Sequence, residues 1–160
     1  WLTQLTTAGG TLRRAKHDSW GAAVEQVVTQ IDGAPLGAIS AVEVGPDGKV
    51  YFAVVGDEPV DNGLESALRT ELLAHTGTGA VYVYDPAART VEQVVGGIAG
   101  ASGLALDEHT QTLYISDLGS RSIWSAAADR YTRGCTAASP PRSWLIWTGS
   151  SENCWTICPH

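Results

Sequence analysis

All three cysteines of the chain, which could bind a metal, lie near its C-terminal end. Cys135, Cys154 and Cys158 lie in the last 26 residues, and His160 ends the sequence. Thiolate and imidazole groups bind zinc, but the spacing C-x18-C-x3-C-x-H matches none of the usual zinc patterns, and no metal site is predicted. A disulfide between two of the cysteines is a second interpretation. We favour a third, in which residues 130–160 are an atypical Trp- and Cys-rich tail produced by a shifted reading frame or altered splicing.

Carboxylates and hydroxyls elsewhere show no signature of an activated nucleophile. The sequence contains neither G-x-S-x-G nor H-E-x-x-H. Glu43 alternates with valines on a predicted strand and Glu71 lies on a predicted helix, so both are expected to be ordinary solvated side chains. Asp117 ends a predicted strand and is expected to shape a turn with Gly119 rather than bind an ion. The catalytic residue is therefore unknown from these patterns.

The elements that would position any site repeat along the chain. The pentapeptide V-E-Q-V-V occurs at residues 24–28 and again at 91–95, and each copy leads through a loop into a strand, a polar turn and another strand. A repeated β unit cannot bury a core alone, so neighbouring copies must stack. The repeat predicts an all-β fold built from about two to two and a half blades of a β-propeller.

Strands are predicted in an order that fills one blade and most of the next. An outer strand at residues 23–29 precedes them. The middle blade comprises residues 39–44, 50–55, 80–84 and 90–95, and the next blade comprises 104–106, 112–116 and 122–126.

One segment of the middle blade departs from the β pattern. Leu64, Leu68 and Leu72 recur every four residues, and Asn62 with Glu65 three residues later resembles a capping box. These features predict a short amphipathic helix over residues 63–74, inserted between two strands. Its apolar stripe is expected to pack on the propeller, with a partner or membrane contact as the alternative.

Length and charge bound the remaining possibilities. Three segments are predicted: a poorly patterned N-terminal segment at 1–22, whose basic cluster at 13–16 is expected in a solvated loop, blades at 23–129, and the tail at 130–160. Since propellers close with about 4–8 blades, 160 residues without a methionine are expected to be part of a longer fold. The net charge of −7 argues against a nucleic-acid partner, and no apolar stretch is long enough to predict a transmembrane segment.

The sequence resembles the strictosidine synthase-like family, a group that includes strictosidine synthase and the adipocyte plasma membrane-associated protein. The resemblance covers residues 24–126. It is carried by residues 28–52, by the helical insertion, by T-G-A-V-Y-V-Y-D-P at 78–86 and by the run from G-A-S-G-L-A-L at 100–106 to L-Y-I-S-D at 113–117. It implies a six-bladed propeller with an active site in the central channel. Gluconolactonases and paraoxonases are similar in architecture but more distant.

Two positions allow a comparison within the channel. In the related metal-dependent lactonases, an asparagine at the start of one inner strand, and a second before a glycine on the next blade, help to hold a calcium-like ion. The matching dipeptides here are Ser40-Ala41 and Ser102-Gly103. A hydroxyl is a weak ligand for a hard cation. We therefore predict no metal and no other cofactor, and we regard Ser40 and Ser102 as candidate channel-lining residues, or else as residues that simply begin their strands.

Three functions follow from this resemblance. The first is a fragment of a lyase that condenses an amine with an aldehyde, or of an enzyme with related small-molecule chemistry. In that family a glutamate of the last blade is the general acid or base, and this chain has no counterpart to that blade. The second is an ester or lactone hydrolase of the gluconolactonase and paraoxonase type. The third is a truncated or binding module without catalysis.

Overall fold

The computed structural model describes residues 2–6, 9–15, 24–57 and 63–128, and within them the protein is almost entirely β-structure. Three antiparallel sheets and one small hairpin follow one another along the chain. We call the sheets the first, middle and last blades. Their elements are β1 (Leu2–Thr6), β2 (Gly9–Ala15) and β3 (Val24–Val28) in the first blade; the hairpin β4 (Gln30–Ile31) and β5 (Ala34–Pro35); β6 (Ile39–Val44), β7 (Val50–Val54), α1 (Gly63–Ala74), β8 (Gly79–Asp85) and β9 (Thr90–Ile98) in the middle blade; and β10 (Ala101–Asp107), β11 (Thr112–Asp117) and β12 (Ser122–Ala127) in the last.

The middle blade is covered on both of its faces. All five residues of β7 are buried, because alternate side chains of a strand point to opposite faces and each face meets a neighbouring blade. Val50 and Phe52 face the first blade, where they pack with Leu12 and Val28. The ring of Phe52 stacks on Tyr82 with centroids 5.6 Å apart. The continuous apolar run of β7 thus reflects a strand sandwiched between two blades.

The opposite face of the middle blade packs on the last blade. Tyr51 and Val81 contact Leu113 and Ile115 in a second core. The Tyr51 hydroxyl donates a hydrogen bond of 3.0 Å to the Ala128 carbonyl oxygen, so the polar end of this buried ring is satisfied across the blade boundary. Blades stacked face to face confirm the predicted partial propeller.

The N-terminal segment is more regular than its sequence indicated. Residues 2–6 and 9–15 form the antiparallel pair β1 and β2, and β2 pairs with β3. Arg13 and Arg14 therefore lie on a strand, so the predicted loop is wrong for them, whereas Arg14 is exposed as predicted. Lys16 lies outside the described residues. The Arg14 guanidinium is paired at 2.5 Å with Glu25 on β3. The cluster was misjudged because opposite charges facing each other across two strands are far apart in the sequence.

The inserted helix α1 has the predicted limits, Gly63–Ala74. Leu64, Ala67 and Leu68 pack against Ala38 and Val55, which confirms that the apolar stripe rests on the propeller. Asn62, the predicted cap, lies outside the described residues, as do residues 129–160 with the predicted tail. Among the described residues, no helix combines the length and apolar character needed to cross a bilayer.

Aspartates organise the turns at one side of the blades, which we call the hairpin side. Asp85 accepts hydrogen bonds from the backbone N–H groups of Ala87 (2.8 Å) and Ala88 (3.1 Å). The N–H of Ala88 contributes most to holding the pKa of Asp85 below its ordinary value, followed by that of Ala87. Asp107 shapes the matching turn of the last blade, where the Thr110 hydroxyl contributes most to lowering its pKa. Both aspartates therefore stabilise hairpin turns through hydrogen bonds within the turn.

Candidate functional site

The other side of the blades carries the predicted site residues. The inner strands β6 and β10 begin there and their partners β7 and β11 end there, since both pairs are antiparallel. Helix α1 also lies there, because it follows β7 and precedes β8. We call this side the strand-start face. It brings together the two candidate serines, the inserted helix and the turn after β11.

Ser40 and Ser102 occupy equivalent irregularities in the two inner strands. The pairing of β6 with β7 shifts register between Ile39 and Ala41, and the pairing of β10 with β11 shifts between Ala101 and Gly103. Each serine is therefore the extra residue of a β-bulge. Bulges redirect a side chain out of the regular alternation and are frequent beside active sites. The structural equivalence of the two positions follows from the repeat in the sequence.

The two hydroxyls make different contacts. Ser40 Oγ donates a hydrogen bond of 2.7 Å to the Ala101 carbonyl oxygen, so it joins the inner strands of adjacent blades. Ser102 Oγ lies 2.8 Å from Ser116 Oγ, within the last blade. Both serines are half-buried. One hydroxyl thus ties blades together, and the other belongs to a pair of hydroxyls at the start of an inner strand.

Gly103 leaves room for the hydroxyl pair. A Cβ atom at this position would lie 2.9 Å from Ser116 Oγ, which is closer than real Cβ contacts. The need for space beside the Ser116 hydroxyl therefore explains the glycine after Ser102 without a metal ion. We call Ser102 and Ser116 the serine pair.

Glu71 is buried, and the prediction that it is a solvated carboxylate is wrong. Its exposed fraction is 1%. One carboxylate oxygen accepts a hydrogen bond of 2.7 Å from the Gly77 N–H, and the other accepts one from the Thr76 hydroxyl. A Cβ atom at Gly56 would lie 3.3 Å from the same carboxylate, so the backbone just after β7 packs directly against it.

The signal for this burial was present in the sequence. Leu64, Ala67, Leu68 and Glu71 follow the i, i+3, i+4, i+7 pattern that defines one face of a helix. A glutamate on the apolar face is tolerated because the loop after α1 supplies two donors to the charge. The carboxylate fastens the helix to the loop that follows it, with both oxygens engaged.

Asp117 has the structural role that its position predicts. It is 2% exposed and accepts hydrogen bonds from the Ser120 N–H (3.1 Å) and from Trp124 Nε1 (3.0 Å). The first bond closes the turn between β11 and β12, and the second fixes the indole ring of the next strand.

The described residues do not fit a metal of the kind that the related lactonases hold. No group of three or more His, Cys, Asp or Glu side chains in the described ranges is arranged to hold an ion. At the matching positions, Ser40 already donates to a backbone carbonyl and Ser102 is engaged with Ser116. A hard divalent cation requires several strong oxygen donors, and these two hydroxyls do not supply them.

The family model described as SMP-30/Gluconolactonase/LRE-like region matches residues 4–142. The chain therefore belongs to this β-propeller family. No curated protein matches the sequence at a significant level.

Solved structures agree with this assignment at the level of the fold. A structural-genomics protein assigned to the gluconolactonases is similar with a TM-score of 0.55 and 17% identity, over 76% of this chain and 38% of that protein. A gluconolactonase of Xanthomonas campestris, described as important in secondary glucose metabolism, is similar with a TM-score of 0.56 and 19% identity, over 80% of this chain and 40% of that enzyme. The chain thus spans about two fifths of the length of these structures.

The comparisons favour one of the predicted relationships over the other. They identify the gluconolactonase group, which the sequence motifs indicated only as a more distant relative of the same architecture. They do not show the predicted likeness to strictosidine synthase. The two groups share blade architecture, and the motifs that suggested strictosidine synthase are mainly strand and turn patterns that this architecture requires.

Proposed function

We propose that this chain forms part of a propeller hydrolase that opens lactones or cleaves small esters. The family match over residues 4–142 carries the proposal, because it favours the hydrolase over the lyase. The amine–aldehyde lyase depends on a carboxylate placed to accept an amine proton. In the strictosidine synthase-like family that carboxylate belongs to a blade with no counterpart here, so the choice between the two reactions rests on the family match.

We assign substrate orientation to the serine pair. Two hydroxyls carry two protons, and the 2.8 Å bond between Ser102 and Ser116 uses one of them. When Ser116 donates to Ser102, the proton of Ser102 has only a long contact of 3.3 Å to the Ser116 carbonyl oxygen. That proton can turn to donate to the carbonyl oxygen of a bound ester. A hydrogen bond at this oxygen holds the substrate and stabilises the charge that develops there when water attacks.

The described residues do not themselves activate the attacking water. No carboxylate or imidazole in the described ranges hydrogen-bonds to either member of the serine pair. Because the chain spans about two fifths of the solved structures that it matches, we propose that the activating group belongs to another blade facing the same channel.

The proposal is tested by assaying the full chain, together with any natural sequence that flanks it, for two reactions. Lactone and ester hydrolysis is followed by acid release, and condensation of an aryl-ethylamine with an aldehyde is followed by chromatography. We expect hydrolysis only. Ser102→Ala should lower kcat/KM about tenfold, the equivalent of one lost hydrogen bond of about 1.4 kcal/mol. Ser125→Ala, at an exposed position on β12, is the matched control. Condensation without hydrolysis would overturn the proposal, and the absence of both would favour the non-catalytic binding module.

A further inference from the structure

A shallow apolar groove crosses the strand-start face between two blades. It lies between the leucine stripe of α1, which belongs to the middle blade, and the turn after β11, which belongs to the last blade. Its lining residues are Leu64, Glu65, Leu68, Arg69, Leu72 and Leu118. Leu72 and Leu118 are 37% and 41% exposed, so their side chains present carbon surface to a ligand. The helix stripe thus packs on the propeller with one edge and forms a wall of the groove with the other.

The turn that carries Leu118 connects the groove to the strands of the serine pair. The Leu118 N–H donates a hydrogen bond of 3.1 Å to the Gly100 carbonyl oxygen, at the entry to the inner strand that carries Ser102. Leu118 also follows Ser116 by two residues, and two residues of chain span at most about 7 Å. The Cα atoms of Ser116 and Leu118 are therefore at most about 7 Å apart, a separation that an attached chain of several carbon atoms can bridge.

The groove is shallow and open to solvent, and its apolar lining suits the hydrocarbon part of a small molecule. Its volume of about 610 Å³ lies within the range of small-molecule sites, about 300–1,000 Å³. The charged members of the lining, Glu65 and Arg69, are adjacent on the exposed side of the helix and leave the floor of the groove apolar.

We propose that this groove binds the hydrocarbon part of the substrate, so that the preferred substrates are lactones or esters bearing an alkyl or aryl chain. This inference rests on the proposed hydrolase function and gives its substrate class. The hydroxyl groups of a sugar lactone would lose their hydrogen bonds to water when they enter the groove. Leucine side chains cannot replace those bonds, so binding would be unfavourable. An alkyl chain gains from the same contact, because its carbon surface leaves water.

Binding and hydrolysis are measured separately to test the proposal. Binding to the full chain is measured by calorimetry with γ-lactams carrying alkyl chains of one to seven carbons, which mimic lactones but resist hydrolysis. We expect the affinity to rise about two- to fourfold for each added methylene that the groove covers. Leu118→Gln and Leu72→Gln should each flatten this dependence. Leu73→Gln is the matched control, because Leu73 is 77% exposed on the same helix and does not line the groove.

Each result decides between the two proposals. An affinity that is independent of chain length, or that falls equally in Leu73→Gln, overturns the groove as a substrate site. Hydrolysis of glucono-δ-lactone in preference to alkyl lactones overturns the substrate class and keeps the hydrolase. Chain-length-dependent binding without hydrolysis of any lactone keeps the groove as a binding site for apolar chains and overturns the hydrolase.

Discussion

Glu71 offers the sharpest test of how the inserted helix is held on the blade. Its buried carboxylate accepts hydrogen bonds from the Gly77 N–H and the Thr76 hydroxyl. In Glu71→Ala both bonds are lost and the half-buried Gly77 N–H has no acceptor. In Glu71→Gln both bonds survive, because the amide oxygen accepts from Gly77 while the amide nitrogen donates to a Thr76 hydroxyl that has reversed its role.

The magnitudes follow from these contacts. A hydrogen bond to a charged group contributes about 1.5–3 kcal/mol, and a buried donor left alone costs about 1–3 kcal/mol. Thr76 is exposed, so water replaces its lost acceptor at little cost. Glu71→Ala also removes a charge that was desolvated on folding, and this offsets part of the lost free energy of unfolding. We therefore expect Glu71→Ala to lower the free energy of unfolding by about 3 kcal/mol and Glu71→Gln to lower it by about 1 kcal/mol.

Urea unfolding followed by circular dichroism measures both changes. With a denaturant slope of about 2 kcal/mol/M, Glu71→Ala should move the midpoint down by about 1.5 M and Glu71→Gln by about 0.5 M. Arg69→Ala, at an exposed position of the same helix, should change the unfolding free energy by less than about 0.5 kcal/mol. If the alanine and glutamine variants are equally destabilised, or if both match Arg69→Ala, the assigned role of the buried carboxylate is wrong.

Three further predictions concern the blades. Ser40→Ala should lower the free energy of unfolding by about 1 kcal/mol in urea, because the hydroxyl bond to Ala101 joins two inner strands. Trp124→Phe should cost about 2 kcal/mol by the same assay, since it leaves one oxygen of buried Asp117 without its indole donor. The pKa of Asp85 is depressed in the folded state, so its contribution to stability is present above the ordinary carboxyl value of 3.8 and is lost as the pH falls through the folded pKa. Asp85→Asn should therefore reduce the loss of stability on acidification from about pH 6 to about pH 3.

These predictions share simple controls. Ser125→Ala removes an exposed hydroxyl from β12 and should leave the unfolding midpoint unchanged. An equal effect of Ser40→Ala and Ser125→Ala would contradict the bridging role of Ser40. A Trp124→Phe protein as stable as the parent would show that Asp117 does not depend on the indole. If Asp85→Asn loses as much stability at low pH as the parent, other carboxylates cause the loss and the prediction for Asp85 is wrong.

Most of the blade architecture could be predicted because it is encoded locally. The limits of β6 (Ile39–Val44) and α1 (Gly63–Ala74) agree with those predicted, since turn residues and hydrophobic period mark both ends. The first two strands were not predicted. β1 pairs with β2, β2 pairs with β3, and the segment itself has no alternating pattern to reveal a sheet.

The candidate site was predictable only in part. The alignment of the two repeats placed Ser40 and Ser102 at equivalent positions, and the structure places both in equivalent bulges. The partner of each hydroxyl was not predictable. Ser40 contacts a residue 61 positions away, whereas Ser102 contacts one 14 positions away. The partner of each hydroxyl depends on how blades stack and strands pair, and no local sequence pattern indicates it.

The sequence by itself determined the repeating β unit, the inserted helix and the turn chemistry of the hairpin side, because periodicity and turn residues act over a few neighbours. Only the tertiary structure decided which donors meet the buried carboxylate of Glu71 and that a leucine-lined groove runs from α1 to Leu118. Both depend on the surface against which the helix packs. That surface is assembled from strand ends and turns of two blades, so its shape and donors exist only once the blades have stacked.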